Sequence, residues 1–265
     1  MKRMIQYLIL FLVMPLISKA QDNYEIQVYG SQTVQKKYTM VELHSNFTFD
    51  GSRKINNGVL PTNHILHETI EITHGVTDFL EVGFYFFNAI GNDNRTAYVG
   101  SHIRPRVMLP EKYHFPLGLS LSAEIGYQKR DYSQDDWTLE IRPIIDKKIN
   151  LLYLSFNPTF DKSLHGANVK NGFNFSPDAK VSYDITKVFS PGLEYYGSIG
   201  NLNSLLPYNE QQHQLFFSLD LNINPDWELN FGYGLGFTTS TDKSILKCII
   251  GYSIHDKEKK SSIIK

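Results

Sequence analysis

The sequence predicts an all-β fold, a closed antiparallel transmembrane β-barrel of about twelve strands. Three observations predict it. Beyond residue 39, apolar and polar residues alternate with a period of two through segment after segment. The segments are about 8–11 residues long, the length that a tilted strand needs to cross a bilayer. Longer polar connections alternate with shorter ones, as outer loops and periplasmic turns do in such barrels.

The chain starts with a secretory pattern. Lys2 and Arg3 precede an apolar run from Ile5 to Ile17. Ser18-Lys19-Ala20 puts small residues where a signal peptidase cuts, so cleavage is expected before Gln21. The run is too short and too near the terminus to read as a membrane span, and no cysteine follows the cut to take a lipid. The expected organisation is a signal peptide over 1–20, a periplasmic N-terminal segment over 21–39, a barrel over 40–253 and a polar periplasmic tail over 254–265. Within 21–39, Tyr24 to Gly30 alternates like a short strand; it fits either the periplasmic side or the lumen.

Composition narrows the function classes. The 26 Lys+Arg and 27 Asp+Glu nearly cancel, so no global field favours nucleic acid. Cys248 is the single cysteine, and one thiol builds no internal disulfide framework. No later stretch is long and apolar enough for a membrane helix, so a membrane crossing has to be made by strands.

The expected strands are 40–49, 65–73, 80–87, 98–109, 117–127, 137–145, 151–160, 173–184, 192–200, 214–223, 227–237 and 244–253. In the fifth, Leu117, Leu119, Leu121, Ala123, Ile125 and Tyr127 share one face, opposite Gly118, Ser120, Ser122, Glu124 and Gly126. The eleventh sets Trp227, Leu229, Phe231, Tyr233, Leu235 and Phe237 against Glu228, Asn230, Gly232, Gly234 and Gly236. The longer connections are 50–64, 88–97, 128–136, 161–172 and 201–213; the shorter are 74–79, 110–116, 146–150, 185–191 and 224–226. The connection 238–243 is short for an outer loop and departs from the pattern. An even strand count returns both barrel ends to the periplasm.

The apolar face is assigned to lipid. Aromatic residues gather at strand ends, at Phe47, Phe49, Tyr127, Trp137, Phe160, Phe173, Trp227, Phe237 and Tyr252, as interfacial girdles do. The polar parity carries more charge than a dry core accepts. Arg104, Arg106, Glu124, Glu140, Arg142, Lys180, Glu194, Asp220 and Glu228 are the lumen-lining candidates. Glu68 lies on the apolar parity and counts against the register there. Arg104, Arg106 and Arg142 admit two arrangements: a basic ladder facing Glu124 and Glu140, or pairs that neutralise one another and fill a narrow lumen.

Glu71-Ile72-Thr73-His74-Gly75-Val76-Thr77-Asp78-Phe79-Leu80-Glu81-Val82-Gly83 resembles a hairpin of outer-membrane barrels of the phenol-degradation meta-pathway family. Trp227-Glu228-Leu229-Asn230-Phe231-Gly232-Tyr233-Gly234 is similar to a late strand of that group. The resemblance implies a passive outer-membrane channel or transporter for small organic molecules. One departure is the polar tail after Tyr252, where many barrels end on an aromatic residue.

His44 and Ser45 are adjacent in a strand and point to opposite faces, so they cannot share a proton. His102 and Arg104 share the lumen parity, with no base partner visible in sequence. His67-Glu68 and His74 lack the helical His-Glu-x-x-His spacing, and His67 and Glu71 lie about 13 Å apart along a strand. A metal there needs cross-strand partners. Gly232, Gly234 and Gly236 open no helix and read as small lumen-side residues that leave room. No catalytic residue, metal or cofactor is expected. The expected partners are outer-membrane lipid, small solutes and the outer-membrane assembly machinery, with no nucleic acid. The expected function is a passive channel or transporter for small organic or polar solutes. The alternatives are a closed structural or surface-binding barrel acting through 50–64, 161–172 and 201–213, and, more remotely, a membrane hydrolase.

Overall fold

The computed structural model describes residues 23–91 and 96–255. The expected cleavage site and most of the expected polar tail lie outside them. Among the described residues, twelve long strands form the wall: β1 (Tyr38–Asp50), β2 (Leu66–Thr77), β3 (Leu80–Ile90), β4 (Thr96–Met108), β5 (Gly118–Gln128), β6 (Asp135–Ile149), β7 (Leu152–Gly166), β8 (Asn174–Tyr183), β9 (Phe189–Ser198), β12 (Gln212–Leu221), β13 (Trp227–Gly236) and β14 (Ser244–His255). Two short strands, β10 (Gly200–Asn201) and β11 (Ser204–Leu205), make a small hairpin in the connection after β9, and β10 pairs with the outer end of β8. Each long strand pairs antiparallel with its sequence neighbours. The cylinder closes where β1 meets β14, in register from Tyr38↔His255 to Thr48↔Ile245, with a shift before Asp50↔Ser244. All twelve expected segments are strands. β6 and β7, at 15 residues each, extend well past the expected lengths.

Alternation along the strands separates two surfaces. In β2, His67, Thr69, Glu71 and Thr73 are buried, while Ile70 and Ile72 are exposed. The same parity leaves Leu43, Phe84, Ile103, Leu121, Phe156, Leu193, Leu246 and Ile250 exposed around the outside. An apolar belt on a fully hydrogen-bonded cylinder suits hydrocarbon, which accepts no unpaired backbone group. Aromatic pairs mark its margins: Phe47 with Phe49, Tyr127 with Trp137, Phe160 with Phe175, and Trp227 with Tyr252. Glu68 does face outward, two residues from the outer end of β2, and takes a hydrogen bond from Ser45 Oγ at 3.0 Å.

Of the two places open to the N-terminal segment, residues 23–34 take the lumen. Asn46 Nδ2 donates to the Asn23 carbonyl near the outer rim. Further in, Thr69 Oγ1 donates to the Tyr24 carbonyl, and the Tyr29 amide donates to Asn157 Oδ1 at 2.8 Å. At the opposite end, the Ser31 and Val34 amides donate to Asp146 and Glu81. Lys37 then donates to the Gly75 carbonyl beside the β2–β3 turn, and β1 begins. The segment thus crosses from the end with the longer loops to the end with the short turns.

Two apolar clusters hold it. Tyr24 packs with Tyr85, Phe87, Ala89 and Val99; Ile26 and Val28 pack with Tyr196, Phe216 and Ile245. They explain why β3 and β14 carry apolar residues on both parities. The inner face is therefore not uniformly polar, although the sequence parity there carries mostly polar and charged residues. The glycines of β13 take part: the Phe216 ring lies across Gly234 and the Lys247 stem across Gly232, where a Cβ would come within 2.9 Å of Lys247 Cε. The short connection 237–243 packs on its neighbour, with Thr238 Oγ1 donating to the Gln211 carbonyl.

Leu43→Arg, on the outer face near the middle of β1, is expected to lower folding stability by about 2–4 kcal/mol. A denaturant titration of the protein in lipid vesicles checks this, and Leu43→Met is expected to change little.

Candidate functional site

The lumen is built from the inward parity of the wall and from the segment that crosses it. Its charges fall into three groups, each tied to the segment. In the first, Arg104 Nη2 donates to Glu71 Oε1 at 2.6 Å, and Arg104 Nη1 lies 3.4 Å from Glu81. Arg106 Nε lies 2.7 Å from Glu81, and its two terminal nitrogens donate to the Gly30 and Gln32 carbonyls at 3.0 and 2.9 Å. In the second, Arg142 bridges Glu140 at 2.8 Å and Glu25 at 3.1 Å. Tyr29 donates its hydroxyl to Glu25, and its ring receives Arg104, Arg106 and Arg142, at 4.7, 5.5 and 4.9 Å from the centroid. In the third, Glu194 accepts from Lys247, from Lys180 at 3.0 Å and from the Tyr196 hydroxyl at 2.7 Å. Lys180 also reaches Asp220 at 2.8 Å, and Lys247 donates to the Ile26 carbonyl at 3.2 Å.

The arginines therefore form neutralising pairs and not a ladder opposite Glu124 and Glu140. Arg106 finds Glu81 directly opposite on β3, whereas Arg104 reaches over Gly83 of β3 to Glu71 on β2. Glu124 instead meets His102, the partner that sequence reading left open. Glu228 accepts from Gln27 Nε2 at 3.0 Å. Sequence parity identified these inward groups but not Glu25, Tyr29 or Lys247, which stand at the centre of the network. For Glu25 and Tyr29 the available signal was the alternation of Tyr24 to Gly30. His44 and Ser45 do face opposite sides: His44 is fully buried in the lumen, and Ser45 bonds Glu68 outside.

Above the ion pairs, toward the outer end, the lumen widens into a cavity of about 820 Å³. The connections holding Ser52, Leu60, Tyr132 and Ser240 frame it, and Glu124, Glu140 and Arg142 line its inner part. The other six lumen candidates lie outside its lining, around the lower course of the segment. Its described lining holds seven carboxylates, Glu25, Glu124, Asp135, Glu140, Asp161, Asp178 and Asp242, against the one guanidinium of Arg142 and the imidazoles of His67 and His102. Asp242 ties the rim together, accepting from Asn23 Nδ2 at 2.7 Å and from Thr62 Oγ1 at 2.7 Å. At the mouth, burial first and the neighbouring Asp131 carboxylate second push the Tyr132 hydroxyl above its usual range.

Known structures share this architecture. A KdgM porin superposes with a TM-score of 0.55 at 9% identity, over 82% of this chain and 99% of its own. A COG4313 outer-membrane channel from Pseudomonas putida F1 gives 0.56 at 10% identity, over 87% and 100%. KdgM porin in complex with disordered oligogalacturonate gives 0.52 at 8% identity, over 82% and 99%. No family model matches the sequence, and a comparison with curated proteins gave no match. At these identities the likeness shows the fold, that of an outer-membrane porin-like barrel.

Arg142→Met leaves Glu25 and Glu140 facing each other without their shared cation. A loss of about 3–5 kcal/mol is expected, as when one member of a buried pair is removed. Urea unfolding in detergent measures it. The paired variant Arg142→Met/Glu140→Gln is expected to recover part of the loss.

Proposed function

We propose that this protein is a passive outer-membrane channel for small polar solutes, with a preference for cations. The observation that carries this reading is the acidic outer cavity, where seven carboxylates face one guanidinium above a lumen whose bore is set by residues 23–34. A low-dielectric mouth lined with one sign of charge concentrates counter-ions and excludes co-ions. The belt of exposed aliphatic side chains and the porin-like fold support residence in the bacterial outer membrane. They also support contact with its lipid. The hairpin at residues 71–83 supports a link to the phenol-degradation meta-pathway family. The sign of the cavity argues against a polyanionic saccharide like the oligogalacturonate held by KdgM porin. The sequence pattern before Gln21 supports export by way of a cleaved leader.

A second reading has its own support. The segment and the two clusters around it occupy much of the lumen, as in barrels that are filled. A closed barrel would act through its outer loops.

Single-channel recording of the refolded mature protein in a planar bilayer separates the two readings. Discrete steps with a reversal potential favouring K+ over Cl− are expected. Asp161→Asn/Asp178→Asn is expected to reduce that preference. Ile26→Gly/Tyr29→Gly, which loosens the segment, is expected to raise unitary conductance severalfold. Silence from inserted, folded protein, in the wild type and in the loosened variant alike, would leave the closed barrel.

A further inference from the structure

One row of the wall crosses four strands and carries three carboxylates. Glu228 of β13 pairs with Gly251 of β14, Gly251 with Glu42 of β1, and Glu42 with Glu71 of β2. Glu42 and Glu228 both fold over Gly251, whose missing side chain leaves them the space. Like charges directly opposite each other destabilise a sheet, and these lie on the inner face. His44, two residues along β1 from Glu42, projects into the same place. It is 0% exposed, and Glu42 and Glu71 are 6% and 1% exposed.

Neither ring nitrogen of His44 has a hydrogen-bond partner. Its Nε2 points between the two carboxylates, 3.5 Å from Glu71 Oε2 and 4.0 Å from Glu42 Oε1. Those two oxygens are also without hydrogen bonds. The other oxygen of Glu71 is held by Arg104 at 2.6 Å and by Thr73 Oγ1 at 2.7 Å, which fixes the direction of the free one. The three donor atoms all lie within 4.8 Å of one another. Two donors bound to one tetrahedral Zn2+ at ~2.1 Å stand ~3.4 Å apart, so the separations close by at most about 1.4 Å, and by only about 0.1 Å between His44 and Glu71.

We propose that Glu42, His44 and Glu71 form a site for a divalent first-row transition-metal ion of the Zn2+ class. One imidazole and two carboxylates are a donor set for such an ion, whereas Mg2+ and Ca2+ prefer oxygen alone. The cation would engage His44 Nε2 and relieve the opposed charges of Glu42 and Glu71. Because the site fastens β1 to β2 beneath the cavity, the proposal stands whether or not the barrel conducts. The His67–Glu71 spacing along β2 does not take part; the partners of Glu71 come from the neighbouring strand.

The test is Zn2+ competition against a chromophoric chelator, and Co2+ absorption, on tag-free refolded mature protein in detergent. Folding of each variant is verified by its heat-dependent gel migration. One equivalent of Zn2+ is expected, with affinity lowered 100-fold or more in His44→Gln and in Glu42→Gln. Glu68→Gln on the lipid face and His74→Gln at the β2 end are expected to bind as the wild type does. His44→Cys is expected to keep Co2+ and add a thiolate charge-transfer band in the near ultraviolet. If His44→Gln does not fold, Glu42→Gln decides. No saturable Zn2+ binding by folded wild type, or undiminished binding in the folded Glu42 or His44 variants, overturns the proposal.

Discussion

The β1–β14 seam is the constraint on which the rest of the structure depends. A sheet in hydrocarbon has no water to meet the backbone groups of an open edge, so the first and last strands have to find each other. That closure turns the outside into a continuous apolar belt and the inside into a confined space. Most groups on the inner parity then lose much of their water by geometry, whatever their chemistry. The lumen of this barrel is an answer to that confinement: each arginine and lysine among the nine candidates is matched to a carboxylate, and a chain segment takes up room that water would otherwise fill.

Charges buried in this way add little net stability, since attraction roughly offsets the loss of hydration. Their effect is on register. Arg106 bonds the Gly30 and Gln32 carbonyls, Lys247 the Ile26 carbonyl and Asn157 the Tyr29 backbone, so a slip of one residue would break all of them together. The apolar clusters supply adhesion that is indifferent to register, and the polar contacts specify it. Tyr29 joins both roles, since one ring gathers three guanidinium groups and its hydroxyl reaches Glu25.

The wall was legible because a strand exposed to two different media writes a period of two into its sequence. Leu117 to Tyr127 and Trp227 to Phe237 show it plainly, and both are strands. The inward orientation of Arg104, Glu124 and Arg142 followed from the same parity. Partners were not legible, because they depend on which residues the register brings within reach across the inner face. Glu71 for Arg104 and Glu124 for His102 emerge only once register is known. The place of residues 23–34 was equally hidden: a short alternating stretch packs as well beside a barrel as within one. The doubly apolar strands were the available hint. Tyr85 and Phe87, like Ile245 and Ile249, leave greasy positions on a face that water alone would not favour.

The course of the inner segment bears on how the molecule can be assembled. β1 starts at the short-turn end, yet Asn23 lies at the other rim, bonded to Asn46 and Asp242. A segment lying along the axis of a cylinder is hard to insert once the cylinder is shut, since charged and aromatic groups would have to slide past a complete inner wall. Wrapping is the easier order. β1, β2, β7 and β14 each touch the segment, which offers them a common mandrel before the final seam zips. The segment would then serve as the template that sets the girth of the barrel during its formation, and only afterwards as the element that narrows it.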